Sequence, residues 1–193
     1  MNFIFDIGNV LINFKPIVFL ETLFNEQIVI DKLNKTIFMS PEWLKLDQGV
    51  ITPQEAQEIF YIREPNYRAE IQLTMSKLKD MLTPIPETIK LLPQIKNLGH
   101  KLYYLSNYHK ELSRYIFNEY SFFSLFDGGV FSCDIHVIKP SSEIYRHLLQ
   151  KYKLSPKDSL FFDDMEQNIV AAQKEGINGI LFTDAKCVKP FLL

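Results

Sequence analysis

The chain has 193 residues, 47% of them hydrophobic and 23% charged, with a formal net charge of −2. This balance suits a globular protein with one sizeable core and gives no basic footprint for nucleic acid or an anionic membrane. Two cysteines, Cys133 and Cys187, are too few for a disulfide framework, and no apolar run approaches the ~20 residues of a membrane span, so a cytoplasmic protein with reduced thiols is expected.

The first element is Phe3-Ile4-Phe5, an apolar run that meets Asp6 and continues as Ile7-Gly8-Asn9-Val10-Leu11. Asp6 comes too early, and without a basic leader, for a signal peptide. A carboxylate at the end of an apolar strand is costly to bury unless a cation or several donors pair with it. In an open α/β sheet, the carboxyl ends of strands are also where ligands bind. Taken alone, Asp6 is also compatible with a hydrogen-bonded structural carboxylate, the weaker of the two readings.

Residues 15–83 show helical patterns without clear strands. Thr52-Pro53-Gln54-Glu55 has an N-cap threonine, proline at the first helical position and glutamate at capping-box spacing. Tyr67 to Leu82 reads as another helical run, and Thr83-Pro84-Ile85-Pro86 then breaks the chain. A helical insertion is therefore expected after the first strand. Trp43, within it, faces either the core or a ligand.

From residue 84 the pattern becomes α/β. Glu87 to Leu98 has apolar residues at helical spacing and Gly99 as a stop. Short apolar runs at Lys101–Leu105, Ser159–Phe162 and Gly179–Thr183, with a weaker one at Gly129–Ser132, read as buried strands. Helices are expected over Ser142–Tyr152 and Glu166–Glu175 between them. The alternation predicts a parallel, doubly wound sheet, with residues 1–14 and 84–193 as its core.

Four polar sites fall at or near the predicted strand ends: Asp6, Ser106-Asn107, Lys139 and Asp163-Asp164. Right-handed crossovers bring such ends to one edge of the sheet. Individually each has an ordinary explanation: a turn for Ser106-Asn107, a solvated helix-start lysine for Lys139, a helix cap for Asp163-Asp164. Together they offer carboxylates for a hard divalent cation, donors for an anion and a cation for charge balance. Mg²⁺ suits such an oxygen-rich site.

In this order, Asp6-Ile-Gly-Asn-Val, Leu105-Ser106-Asn107, Lys139-Pro140 and Phe162-Asp163-Asp164 resemble the four motifs of the haloacid dehalogenase-like hydrolases. The start is similar to the Asp-Leu-Gly-Asn-Val of a subgroup that includes glucose-1-phosphate phosphatases. The resemblance spans nearly the whole chain. It implies a Rossmann-like α/β core with a small helical cap domain over 15–83, and a Mg²⁺-dependent phosphatase acting on a small phosphorylated metabolite, most readily a sugar phosphate. Asp6 would be the nucleophile that forms an aspartyl-phosphate. Ser106 and Asn107 would donate to phosphoryl oxygens, and Lys139 would neutralise the phosphate and hold Asp6. Asp164, helped by Asp163, would ligate Mg²⁺ with Asp6 and the Gly8 carbonyl. The partner would be a small phosphate ester; oligomeric state is not legible in any pattern.

The chain departs from the family at Gly8, where most phosphatases of the family carry a second aspartate as general acid and base. That help is typically worth about 10²–10⁴-fold. His109 and His136 are candidate substitutes, weighed against structural or surface roles. His136-Val137-Ile138 also departs from the Gly-x-Arg expected before the lysine. Two other functions fit parts of the pattern. A 2-haloacid dehalogenase tolerates Gly8 but leaves Asp163-Asp164 without a cation. A non-catalytic phosphate-ligand-binding protein of the same fold tolerates Gly8 but has no use for Asp6 and Asp164.

Overall fold

The computed structural model describes residues 1–192. The chain begins with β1 (Asn2–Phe5) and then runs through helices α1 (Pro16–Leu23), α2 (Gln27–Leu33), α3 (Pro41–Gln48), α4 (Pro53–Arg63) and α5 (Arg68–Ser76). It continues as α6 (Pro86–Ile89), α7 (Leu92–Asn97), β2 (Lys101–Ser106), α8 (Lys110–Glu119), β3 (Gly128–Phe131), α9 (Ser132–Ile135), α10 (Ser142–Tyr152), β4 (Ser159–Asp163), α11 (Glu166–Lys174) and β5 (Asn178–Leu181). The fold is α/β: a parallel five-stranded sheet in the order β3-β2-β1-β4-β5, with surrounding helices.

The strands read as continuous apolar runs because both faces are covered. Phe3, Phe5, Leu102, Leu160 and Phe162 point into one cluster, and Ile4, Tyr103, Leu105, Val130 and Phe161 into another. The second cluster is closed by Ile144, Tyr145 and Leu148 of α10 and Ile169, Ala171 and Ala172 of α11. The first extends from the sheet into the helical segment, through Phe19, Leu20, Leu33, Trp43, Phe60 and Ile71.

The strand order reverses between β1 and β4, and that is where an open sheet leaves a crevice at its carboxyl edge. Phe5 pairs with Phe162, so the residues that follow, Asp6 and Asp163, sit side by side. The two linkers of the helical segment also run side by side. Asn13 N donates to Thr83 O at 2.8 Å and Ile85 N to Leu11 O at 2.8 Å, and Asn13 Nδ2 donates to Thr83 Oγ1 at 2.9 Å.

The Thr52 capping box forms: Glu55 N donates to Thr52 Oγ1 at 3.2 Å and Thr52 N to Glu55 Oε2 at 2.7 Å. The single helix expected over Glu87–Leu98 is instead two, α6 and α7. Pro93 has no N–H, and its ring clashes with the carbonyl four residues back, that of Ile89, where α6 ends. The run expected to Leu82 ends as an α-helix at Ser76 and finishes in a 3₁₀ turn over Leu78–Met81. β5 lies slightly earlier than Gly179–Thr183.

Gly49 closes α3 with φ +72° and lies against α9, where an added Cβ would stand 2.7 Å from the Cys133 carbonyl oxygen. Gly49→Ala is expected to lower stability by about 1–3 kcal/mol, from positive φ and the backbone clash together, read as a lower urea midpoint with unchanged slope. A neutral result would mean that α3 and α9 are not held in this close approach.

Candidate active site

β1 delivers Asp6 to the carboxyl edge and the following loop folds back over it. Val10, Leu11 and Ile12 N–H all donate to the Ile7 carbonyl, and Asn9 adopts φ +54°. Asn9 then bridges outward, its Nδ2 donating to Asp164 Oδ2 at 3.1 Å while its Oδ1 accepts Phe14 N at 3.0 Å. Asp6 is buried; its Oδ1 accepts Ile7 N at 2.7 Å and Lys139 Nζ at 2.8 Å. Neither bond uses Oδ2. Burial raises the Asp6 pKa; Lys139 and a contact from Ser106 oppose the rise, and the Asp163 charge adds to it.

Lys139 is the central cation. Its ammonium is 2.8 Å from Asp6 Oδ1 and 2.6 Å from Asp163 Oδ2, and it is almost fully buried. Burial alone would lower its pKa, but the two carboxylates outweigh that and hold it above the ordinary lysine value. The Asn107 side chain fixes the lysine's backbone: Lys139 N donates to Asn107 Oδ1 at 2.8 Å, and Asn107 Nδ2 donates to Lys139 O at 3.0 Å. The Asn107 amide, expected to reach a phosphate, is thus committed to a loop clamp.

Asp163 is equally committed. Oδ1 accepts Met165 N at 2.8 Å and Asn168 Nδ2 at 3.0 Å; Oδ2 accepts Lys139 and, at 3.1 Å, Asn168 Nδ2. It is fully buried. Its carboxylate therefore holds Lys139 in place, while one of its oxygens still stands near those of Asp6 and Asp164. Asp164 is partly exposed, accepts only Asn9 among side chains, and has a pKa raised first by burial.

Carboxylate oxygens of Asp6, Asp163 and Asp164 all lie within 4.8 Å of one another. Three carboxylates against one ammonium leave an excess of negative charge in a buried place, and all the donor atoms are hard oxygens. The set fits a divalent cation such as Mg²⁺, with Asp6 and Asp164 as the carboxylates that have oxygens to spare.

Asp6, Lys139 and Asp164, with Ser106, Gly8 and Asn107, form the floor of a cavity of about 370 Å³. Its walls are largely apolar: Phe14, Phe38, Trp43, Leu44, Leu112 and Met165. Trp43 packs on Phe38 at 4.9 Å and Phe14 at 5.8 Å while lining the cavity, so core packing and ligand contact are not exclusive. His109 lies edge-on to Trp43 at 5.7 Å with both ring nitrogens buried and unpartnered, and burial pushes its pKa down to about 4. His136 does not line the cavity. It ties α3 to α9, its Nδ1–H donating to Gln48 O at 3.0 Å and its carbonyl accepting Gln48 Nε2 at 2.8 Å.

Sequence reasoning passed over Asp47, in the last turn of α3, which also lines this cavity. Burial, reinforced by the Asp6 charge and opposed by the His109 N–H and Lys139, lifts its carboxyl to about 8, which favours the protonated form at pH 7. A faint signal was available. An acidic residue at a helix C-terminus works against the helix dipole, and Asp47 stands just before the Gln48-Gly49 stop.

A family model described as a haloacid dehalogenase-like hydrolase matches residues 1–176. The sesquiterpene phosphatase astK of Aspergillus oryzae is 29% identical over 182 residues, 94% of this chain and 89% of that protein. Two solved structures share the fold. One is the wild-type HAD family enzyme bt-2542 of Bacteroides thetaiotaomicron in complex with magnesium and inorganic phosphate (TM-score 0.67, 21% identity, 93% of this chain and 92% of that one). The other is the L-2-haloacid dehalogenase of Xanthobacter autotrophicus (TM-score 0.68, 16% identity, 92% and 75%).

Lys139→Met should destabilise the metal-free protein by about 3–5 kcal/mol at pH 8, because it strands two buried carboxylates. Losing the cation raises the Asp6 pKa further above the unfolded ~3.9, so the folded form takes up protons and stability falls as pH rises. The loss should therefore shrink at pH 5, as measured by urea unfolding at both values. Equal losses at the two pH values would refute the charge-compensation role.

Proposed function

The chain belongs to the haloacid dehalogenase-like hydrolase family, and from that premise we propose that it is a Mg²⁺-dependent phosphatase of small phosphate monoesters. The observation that carries this is the Lys139 ammonium shared by Asp6 and Asp163, with Asp164 alongside, at the floor of a largely apolar cavity. An anionic phosphate suits such a floor only if cations balance the carboxylates. A 2-haloacid dehalogenase would leave that negative charge uncompensated.

Asp6 attacks phosphorus through Oδ2, the oxygen that neither Lys139 nor Ile7 N occupies. The bond to the leaving oxygen breaks, and water then hydrolyses the aspartyl-phosphate. Lys139 stabilises charge on both the nucleophile and the phosphoryl group, while Asp163 and Asn107 fix where its ammonium stands. Ser106 and the Asn107 main chain supply donors for phosphoryl oxygens. Asp6, Asp164 and the Gly8 carbonyl would hold Mg²⁺, which when bound would screen repulsion between the Asp6 carboxylate and the phosphate. Residues 15–83 act as a cap on the core formed by 1–14 and 84–193, and select the substrate.

The cavity walls favour an ester with an apolar body. Phe38, Trp43 and Leu44 from the helical segment and Leu112 and Met165 from the core would bury it. The sesquiterpene phosphatase relative points the same way. A sugar phosphate is the second reading, since Asp47, Asn107 and Gln167 also line the cavity and carry groups able to pair with hydroxyls.

Phosphate release should be measured on an isoprenyl monophosphate, glucose 1-phosphate and an aryl phosphate. Activity should require Mg²⁺, be lost in EDTA, and fall on the order of 10⁴-fold or more in Asp6→Asn. The isoprenyl ester should give the highest kcat/KM, and a preference for glucose 1-phosphate would replace the apolar assignment by the sugar one. Halide release from a 2-haloacid without Mg²⁺, or ligand binding with no turnover on any ester, would overturn the phosphatase.

A further inference from the structure

Phosphoryl transfer to Asp6 expels an oxygen that needs a proton unless it is already a stable anion. The loop after β1 offers none, because Gly8 has no side chain. A Cβ there would meet only Phe14 Cβ, at 3.8 Å, so the space above Gly8 is open. The helical segment forms the other side of the same cavity, and Asp47 of α3 is the carboxyl group it presents there.

We infer that Asp47 is the general acid and base of the reaction, a catalytic residue that the helical segment contributes in place of the loop after β1. This rests on the phosphatase reading and deepens it. Asp47 is held at the cavity by its own main chain: its carbonyl accepts the Ser132 hydroxyl, and the adjacent Gln48 is doubly bonded to His136. Gly49 lets α3 approach α9 closely enough for this.

Burial first, and then the Asp6 charge, favour the protonated form of Asp47, against a hydrogen bond from the His109 backbone N–H and the Lys139 charge. Its own helix carries Glu42, which pairs with Arg63 at 2.8 Å, and the exposed Lys45. α9 brings Cys133 and Asp134, and the core brings Asp6 and Lys139. Lys139 is engaged by Asp6 and Asp163, and among the described residues no cation lies within ion-pair distance of Asp47. Tyr108 and His109 complete the surroundings. Tyr108 keeps its proton, its pKa raised first by burial and then by the Asp47 and Asp6 charges. His109, neutral because burial holds its pKa near 4, has no proton to give at pH 7 as an imidazolium.

In the first half-reaction, an Asp6 oxygen bonds to phosphorus, the ester P–O bond breaks, and the Asp47 proton passes to the departing oxygen, leaving a carboxylate. In the second, that carboxylate takes a proton from the attacking water as the P–O bond to Asp6 breaks. Inorganic phosphate leaves, and both carboxyl groups return to their starting states.

The test compares an alkyl monophosphate with para-nitrophenyl phosphate, whose leaving group needs no proton, using the Mg²⁺-loaded full chain. Asp47→Asn should lower kcat/KM for the alkyl ester by ~10²-fold or more and for the nitrophenyl ester by less than about threefold. Its kcat on the nitrophenyl ester should still fall, with a burst of nitrophenolate, because hydrolysis of the phosphoenzyme has lost its base. The alkaline decline of kcat/KM on the alkyl ester should disappear in the variant, and Asp47→Glu should restore part of the alkyl activity. Equal losses on both esters, or no loss on either, would overturn the role of Asp47 while leaving the phosphatase intact. A wild-type chain inactive on every ester would overturn both. If Asp47→Asn does not fold, judged by its thermal transition, Asp47→Ser gives the same comparison.

Discussion

One buried ammonium group holds this site together. β1 and β4 are neighbours, and their register sets Asp6 beside Asp163 in a place with little water. Two carboxylates so placed would repel each other strongly, and Lys139 compensates both. Much of the nearby structure serves that single contact. The Asn107 side chain grips the lysine backbone from the end of β2, and Asn168 and Met165 N satisfy the remaining lone pairs of Asp163 from the start of α11. The compensation is incomplete once Asp164 is counted, and that residual charge makes the floor of the cavity a place for a cation and an anion together.

The two parts of the molecule divide the chemistry. The sheet edge supplies charge on rigid elements, where position is well defined. The helical segment supplies apolar walls and one carboxyl group. These properties are linked, because the walls that exclude water also favour the uncharged form of any isolated acid. The burial that raises the Asp47 pKa comes from the same packing that makes the cavity walls largely apolar. The paired linkers at Leu11–Asn13 and Thr83–Ile85 hold the ends of the helical segment beside the loop that carries Gly8 and Asn9. Through Asn9, that loop also contacts Asp164. Any movement of the helical segment about these linkers would therefore be felt at the carboxylates.

The sequence by itself determined the sheet and its acidic edge. Apolar runs with no alternation require burial on both faces, which a parallel sheet between helices provides, and the polar residues that end the runs fall at its carboxyl edge. The acidic residues that meet there could therefore be read from strand ends, whereas Lys139 comes from the loop between α9 and α10. Patterning could not say which of them touch: Asp163 was legible as an acid beside Asp6, but its four hydrogen bonds, and hence its role as holder of Lys139, arise from α11 and a loop distant in sequence. The Asn107 clamp is hidden for the same reason. Asp47 was decided almost wholly by tertiary structure, its unfavourable place at a helix C-terminus being the one faint signal. On its helix it is an acidic residue near a glycine stop, and only the packing of α3 over the sheet edge removes much of its water, brings it to the cavity of Asp6 and changes its proton affinity.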